Sequence, residues 1–301
     1  MRRTSRPYAS AADLRAMQAA LADAHAETHV RTGDLAWRAR FHTHRELSLE
    51  IRLWERGDRL VGWTWFRTRG GFDVFIAPDH RSDASLLREM LDAVDDVVRA
   101  AVAAGDHLES VYTFFLDEDE ALAAALRDRG FEESDTGGGD VLWRELRDLG
   151  TPAPVPGYRL GWVAGEEDVL ARVTAHQAAF APSDLSVDKY RRARRTWPYR
   201  ADLDRIAIAE DGSVGSFCTA WLDERNASGL LEPVGTHPDH RRRGLATAIC
   251  LDALRALRGA GARTAQVGTA SAAARAAYLA AGFRPWKREV TYRKVIGEAA
   301  S

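Results

Sequence analysis

Glu232-Pro233-Val234-Gly235-Thr236-His237-Pro238-Asp239-His240-Arg241-Arg242-Arg243-Gly244-Leu245-Ala246-Thr247 joins three kinds of local structure. An apolar strand from Gly229 to Thr236 runs into a basic, glycine-containing turn, and the turn opens directly into an amphipathic helix. The first N–H groups of a helix have no intrahelical partner, and the helix dipole adds partial positive charge there. Three arginines contribute formal charge. Such a turn suits a phosphate or pyrophosphate, with Gly244 permitting close backbone approach and Ala246 keeping the next turn small.

Outward from this segment, the helix continues to Leu257 with Ile249, Cys250, Ala253, Leu254 and Leu257 on its inward face. A strand follows at Thr264 to Val267, then a helix from Ala272 to Ala281 that Gly282 ends, then strand from Phe283 to Val295. Upstream, Arg205 to Ala209 and Val214 to Leu222 form a hairpin about Asp211-Gly212. Before it come a strand at Tyr158 to Val163 and helices at Glu166 to Phe180 and about Val187 to Arg195. Thr151-Pro152-Ala153-Pro154-Val155-Pro156-Gly157 is a stiff extended linker, since alternate prolines continue neither a helix nor a sheet. The domains therefore divide as residues 1–150 and 158–301 about the linker 151–157.

The first half reads as helix 11–29 punctuated by Gly33, strands Ser48 to Glu55, Leu60 to Phe66 and Phe72 to Ile76, and a long helix Ala84 to Ala104. Strand Leu108 to Phe115, helix Asp117 to Arg129, a flexible Gly137-Gly138-Gly139 loop and strand Val141 to Leu146 complete it. Pro78-Asp79-His80-Arg81 recurs as Pro238-Asp239-His240-Arg241, and Arg129-Gly130-Phe131 is echoed by Ala281-Gly282-Phe283 in the same element order. The chain is an internal duplication. Its first copy reads Arg81-Ser82-Asp83-Ala84-Ser85-Leu86, with no glycine, a bulky leucine and a carboxylate where an anion would dock. That copy is impaired for phosphate binding by like-charge repulsion.

The 301 residues carry a net charge of −2, so no global basic field is available to hold nucleic acid. Cys218 and Cys250 lie in apolar stretches without metal spacing and read as reduced core residues. No signal-peptide core follows the N-terminus, and no run approaches the ~18–20 apolar residues of a membrane span. These readings point to a cytoplasmic, soluble protein with no nucleic-acid or membrane partner; its oligomeric state stays open. His25 and His29 are spaced as in a metal site but lack the H-E-x-x-H pattern, and they read as an exposed polar helix face. His42-Thr43-His44 points to opposite strand faces and does not chelate.

The second half resembles the GNAT superfamily of acyl-CoA-dependent N-acyltransferases. The resemblance rests on Arg241-x-x-Gly244-x-Ala246 between strand and helix, and on Ser271-x-x-Ala274-x-x-x-Tyr278-x-x-x-Gly282-Phe283, with Ser271 where asparagine is usual. It is strong over residues 229–290, fair over 158–228 and weak over 1–147. It implies an α/β (α+β) fold of two tandem GNAT-like domains, each a mixed, splayed, mostly antiparallel sheet flanked by helices. The co-substrate it implies is acetyl-CoA, wedged at the splay of the second domain, with no metal.

On that resemblance Arg241, Arg242, Arg243, Gly244, Leu245, Ala246 and Thr247 hold the CoA pyrophosphate, chiefly through backbone N–H groups. Val234, Gly235 and Thr236 offer backbone groups to the pantetheine arm and thioester. Tyr278 aligns with the tyrosine that protonates the departing thiolate. Family members place a base on the strand face at the position of Leu230 or Glu232, and only Glu232 ionises; a bulge at Pro233 would break the alternation that sets this face. Asp184, Tyr190, Trp197 and Tyr199 lie in the variable region that would receive a small-molecule or peptide amine. The function implied is N-acetyl transfer to a primary amine by direct attack; the alternative is a non-catalytic acyl-CoA-binding or regulatory module.

Overall fold

The computed structural model describes residues 2–39, 44–67 and 70–296, so His42 and Thr43 lie outside the described residues. The chain forms two compact units. Among the described residues the first contains 2–31, 44–67, 70–139 and 287–296, and the second contains 32–39 and 140–286.

The first unit holds β1 (Arg3–Pro7), α1 (Ala11–Ala24), α3 (His44–Glu50), β2 (Ile51–Arg56), β3 (Arg59–Phe66) and β4 (Gly71–Ile76). It continues with α4 (Ala84–Ala103), β5 (Ser110–Leu116) and α5 (Glu120–Arg127), and ends with part of β6 (Glu132–Glu145) and of β12 (Arg284–Val295). Its strands run β1-β2-β3-β4-β5-β12, antiparallel except for β4 against β5. Helix α4 turns Leu87, Leu91, Val94 and Val98 onto Phe72, Phe115, Phe131 and Tyr292. Burying such side chains contributes about 1.5–3 kcal/mol each and fixes which face of the helix meets the sheet.

The second unit holds α2 (Thr32–Ala39), the end of β6, β7 (Tyr158–Trp162), α6 (Glu166–Ala179), α7 (Val187–Arg194), β8 (Asp204–Ala209) and β9 (Val214–Asp223). Then come β10 (Ser228–Thr236), α8 (Leu245–Gly259), β11 (Thr264–Thr269) and α9 (Ala272–Ala280). Strands β6-β11-β10-β9-β8-β7 repeat the plan of the first unit, again with one parallel pair, β10 against β11. Ile249, Cys250, Ala253, Leu254 and Leu257 of α8 are fully buried, as their spacing predicts.

Pro78–His80 and Pro238–His240 both fold as a 3₁₀ turn with proline leading, so the echoed sequence has an echoed conformation. Gly130 and Gly282 both have positive φ, 79° and 84°, at the ends of their helices.

The expected division at the linker 151–157 is crossed twice. Asp140–Glu145 of β6 pair with Thr264–Thr269 of β11 in the second unit. Glu289–Val295 of β12 pair with Ser110–Leu116 of β5 in the first. Each unit thus takes its last strand from the other half of the duplicated sequence. Helix α2 also departs from the expectation, because Gly33 is inside a helix and not a break after one.

Three further expectations change. Ser48 to Glu50 finish a helix rather than start a strand, with Leu49 exposed, so the alternation begins at Ile51. The helix from residue 11 ends at Ala24 and tightens to a 3₁₀ turn at His25–Glu27. Gly137-Gly138-Gly139 lies within β6, where a Cβ at Gly138 would collide with the carbonyl oxygen of Glu289; glycine serves close strand approach there.

Among the described residues no helix is long and apolar enough to cross a membrane. Cys218 and Cys250 are both buried free thiols, pushed up from their ordinary pKa by burial.

Candidate active site

The parallel pairing of β10 with β11 covers only Ser228–Leu230 against Thr264–Gln266. Beyond Leu230 the two strands part. On the other side, the register of β10 against β9 shifts between Leu231 and Val234, which is the bulge that Pro233 favours. Parted strands cannot satisfy each other, and the opening exposes backbone and side chains of β10 that a closed sheet would cover.

A cavity of about 630 Å³ fills this opening. It brings together Glu232, Val234, Gly235 and Thr236 from β10, Tyr278 from α9, and Arg241, Arg242, Gly244, Leu245, Ala246 and Thr247 from the basic turn. The size falls within the roughly 300–1,000 Å³ of small-molecule sites. The strand alternation survives the bulge, since Glu232 and Val234 both reach the cavity while Leu231 and Pro233 are buried. Gly235 has a steric reason to be glycine, because a Cβ there would strike the ring of Phe217 on β9.

The turn is shaped by two left-handed residues, Arg242 at φ 61° and Gly244 at φ 82°. A non-glycine residue in this region costs about 1–2 kcal/mol, and such strain persists mainly at functional sites. Helix α8 starts at Leu245 with no side-chain cap, and a Cβ added at Gly244 would meet open space. Uncapped N–H groups, positive charge and open space together fit a pyrophosphate.

The first unit shows the contrast. There Asp83 caps α4 by accepting from the Leu86 N–H at 3.0 Å, and it pairs with Arg3 at 3.0 Å. These contacts, with the Ser85 hydroxyl foremost, hold its carboxyl below the usual range. The corresponding cleft between β4 and β5 has shrunk to about 70 Å³. Glu27, Thr28 and His29 line it, and Arg81 pairs with Glu27 at 3.1 Å. The His29 side chain is buried 3.7 Å from Asp73 and does not form an exposed helical face. The chain's own carboxylates occupy the start of α4 and Arg81.

Tyr278 is 5% exposed, with its ring edge-on to Phe283 at 6.1 Å. Burial, then Cys250 and Glu232, pushes its hydroxyl well above the ordinary tyrosine pKa and keeps it protonated. Arg243 does not line the cavity; its guanidinium donates to the Tyr158 hydroxyl at 3.2 Å and to the Asp239 carbonyl at 3.3 Å. Ser271, where the family pattern has asparagine, caps α9 by accepting from the Ala274 N–H. Some lining residues escape the motif pattern, His240 and Phe180 among them. His240 reaches the cavity from the 3₁₀ turn, and Phe180 closes it from the end of α6. The repeated Pro-Asp-His is the only sequence signal that marks the first, and nothing local marks the second.

The four residues expected to receive an amine do not form one wall. Tyr190 and Tyr199 both donate to Asp204, Tyr199 at 3.0 Å, and Tyr190 is fully buried. Asp204 also accepts from Thr219 at 2.9 Å and lies 3.6 Å from Arg172, both buried. Buried hydroxyls need partners, and this carboxylate takes them inward. Asp184 instead holds Lys189 at 3.1 Å, and Trp197 is an exposed side chain outside the cavity.

The two-unit plan defines a class before any domain family is assigned, since solved structures share it over nearly the whole chain. A GCN5-related N-acetyltransferase from Sphaerobacter thermophilus superposes with a TM-score of 0.68 at 16% identity, covering 97% of this chain and 95% of that one. A tandem GNAT protein from the clavulanic acid biosynthesis pathway gives 0.67 at 17%, covering 99% and 100%. An acetyltransferase from the GNAT family of Colwellia psychrerythraea gives 0.60 at 15%, covering 96% and 99%. At such identities the likeness is one of fold, and the fold is that of tandem GNAT proteins. Residues 171–283 in turn match the model of the acetyltransferase (GNAT) family. The chain carries a GNAT domain in its second half and is by that domain an acyltransferase. No curated protein matches the chain significantly.

Proposed function

We propose that the second unit transfers an acetyl group from acetyl-CoA to a primary amine by direct attack, without a covalent enzyme intermediate. The observation that carries this reading is the single cavity shared by Glu232, the β10 segment Val234–Thr236, the uncapped start of α8 and Tyr278. The basic turn holds the pyrophosphate through Arg241, Arg242 and the N–H groups from Arg242 to Ala246, Arg243 contributing backbone. The segment Val234–Thr236 binds the pantetheine arm and offers donors to the oxygen that becomes negative as the thioester carbon turns tetrahedral.

Glu232 takes the proton from the attacking amine, directly or through water. The C–S bond then breaks, and the sulfur receives a proton from the Tyr278 hydroxyl. Burial holds that phenol neutral, so its proton is in place when the sulfur leaves, and a proton from solvent, balancing the one Glu232 releases, restores the phenol afterwards. The buried reduced thiols fit a cytoplasmic setting.

Release of CoA thiol from acetyl-CoA, measured against a panel of amines, tests the activity. Calorimetry on Gly244→Glu tests the loop: the carboxylate is expected to abolish CoA binding, and retained affinity overturns the assignment. Binding of CoA with no amine acetylated would favour the acyl-CoA-binding module instead.

A further inference from the structure

The bulge in β10 takes Glu232 and Pro233 out of register with β9 at the point where β10 has also left β11. At such a shift the strand ladder does not by itself fix the backbone. The indole of Trp221, on β9, supplies an anchor. Its Nε1–H donates to the carbonyl oxygen of Glu232 at 2.5 Å. Trp221 is opposite Leu230 in the strand register, so its ring reaches along β10 to the bulge. The side chain is almost wholly buried, and its ring meets that of Tyr199 edge-on at 6.1 Å.

Helix α2 presses on the same ring. Its buried face is Thr32, Gly33, Leu35, Ala36 and Trp37, and a Cβ at Gly33 would collide with Cβ, Cγ and Cδ1 of Trp221. The glycine therefore lets α2 lie against the indole with no intervening side chain. Helix α2 precedes the whole first sheet except β1 in sequence, yet it packs with β9, β10 and α7.

We infer that Trp221 is a positioning residue for acyl transfer, holding the bulge at Glu232–Pro233, from which Val234–Thr236 continue, in its working geometry, and that α2, a piece of the N-terminal half, seats it there through Gly33. This inference builds on the proposed activity, with Glu232 as base and Val234–Thr236 as thioester cradle. It gives the N-terminal half a part in that chemistry although its own cleft is closed. The carbonyl that Trp221 holds belongs to the residue carrying the base. Loss of the bond therefore disturbs the carboxylate and the following donors together, and leaves the pyrophosphate turn at α8 untouched.

The full-length protein supports three linked measurements. Hydrogen exchange of the Trp221 indole proton by NMR is expected to be slow, and rapid exchange overturns the inference whatever the activity. Trp221→Phe keeps an aromatic ring and removes the donor. It is expected to lower turnover of acetyl-CoA about 3- to 10-fold, the scale of one neutral hydrogen bond, with the calorimetric Kd for CoA within about twofold. Turnover is read as CoA thiol release, with water and then the fastest amine of a panel as acceptor. Gly33→Ala is expected to lower turnover in the same way, again sparing the Kd. Wild-type turnover in Trp221→Phe, or a loss that only follows CoA affinity and melting temperature, overturns the positioning role. Glu232→Gln in the same assay separates the two ideas. Full turnover there removes the base assignment, while a deficit in Trp221→Phe alone leaves Trp221 as the anchor of the strand.

Discussion

The Tyr158 hydroxyl lies 2.6 Å from Nδ1 of His240, and the two rings meet edge-on at 5.7 Å. Arg243 donates to the same hydroxyl, and His240 lines the cavity. Its pKa is lowered, first by burial and then by His237 and Arg243, against the opposing pull of Asp211 and Asp239. A histidine that binds its proton less readily when folded stabilises the protein above the unfolded value of about 6.5, and that contribution is lost as pH falls toward the lower folded value. His240→Gln is expected to flatten the fall in melting temperature between pH 7.5 and pH 5.5. An unchanged slope would assign it to other groups.

Removing only the phenolic oxygen of Tyr158 unties His240 and Arg243 at once. Tyr158→Phe is expected to weaken CoA binding by about 3- to 10-fold, the worth of one hydrogen bond. Calorimetry checks this, and an unaltered Kd would leave the pair a structural contact only.

Tyr278→Phe keeps the ring on Phe283 and deletes the hydroxyl proposed as the acid. Turnover should fall, with about 10²–10⁴-fold as the outer scale for an acid–base residue, while CoA affinity persists. Normal turnover would take Tyr278 out of the mechanism.

Each chain is expected to bind a single CoA. In the first unit Asp83 already caps α4 and Arg81 already holds Glu27, within a cleft of about 70 Å³. Titration should give a stoichiometry of about one site per chain, set by the open turn and uncapped helix of the second unit alone. A stoichiometry near two in the wild-type protein would show that the first cleft admits the ligand.

Asp204→Ala should destabilise the second unit by about 3–5 kcal/mol, because it strands the buried Arg172 guanidinium and the hydroxyls of Tyr190 and Tyr199. Urea denaturation followed by tryptophan fluorescence measures this, and a loss under 1 kcal/mol would contradict the network's importance.

Much of the site was legible because its parts are local. The turn Arg241–Thr247 carries charge, glycine and helix start within a few residues, and Tyr278 is placed by the helix that Gly282 closes. Glu232 was legible only with the family pattern and a strand alternation that tolerated the bulge. The acceptor residues were not. Tyr190 and Tyr199 look like an aromatic wall in sequence, but their hydroxyls turn inward to Asp204, whose burial with Arg172 and Thr219 no local pattern shows. Gly33 reads as a break because glycine usually is one, and its steric purpose depends on Trp221, far along the chain.

Local chemistry, read from the chain alone, determined the basic turn that opens α8, the buried faces of α4 and α8, the helix-ending glycines and the duplication. Each depends on residues close enough in sequence to act through backbone conformation and side-chain period. Tertiary structure alone decided that β6 completes the second sheet and β12 the first, that β10 parts from β11 after Leu230, and that α2 seats Trp221 against Glu232. In a duplicated chain the equivalent strands carry similar patterns, and either sheet would accept either one locally. The choice rests on the summed packing of residues far apart in sequence, which no local pattern contains.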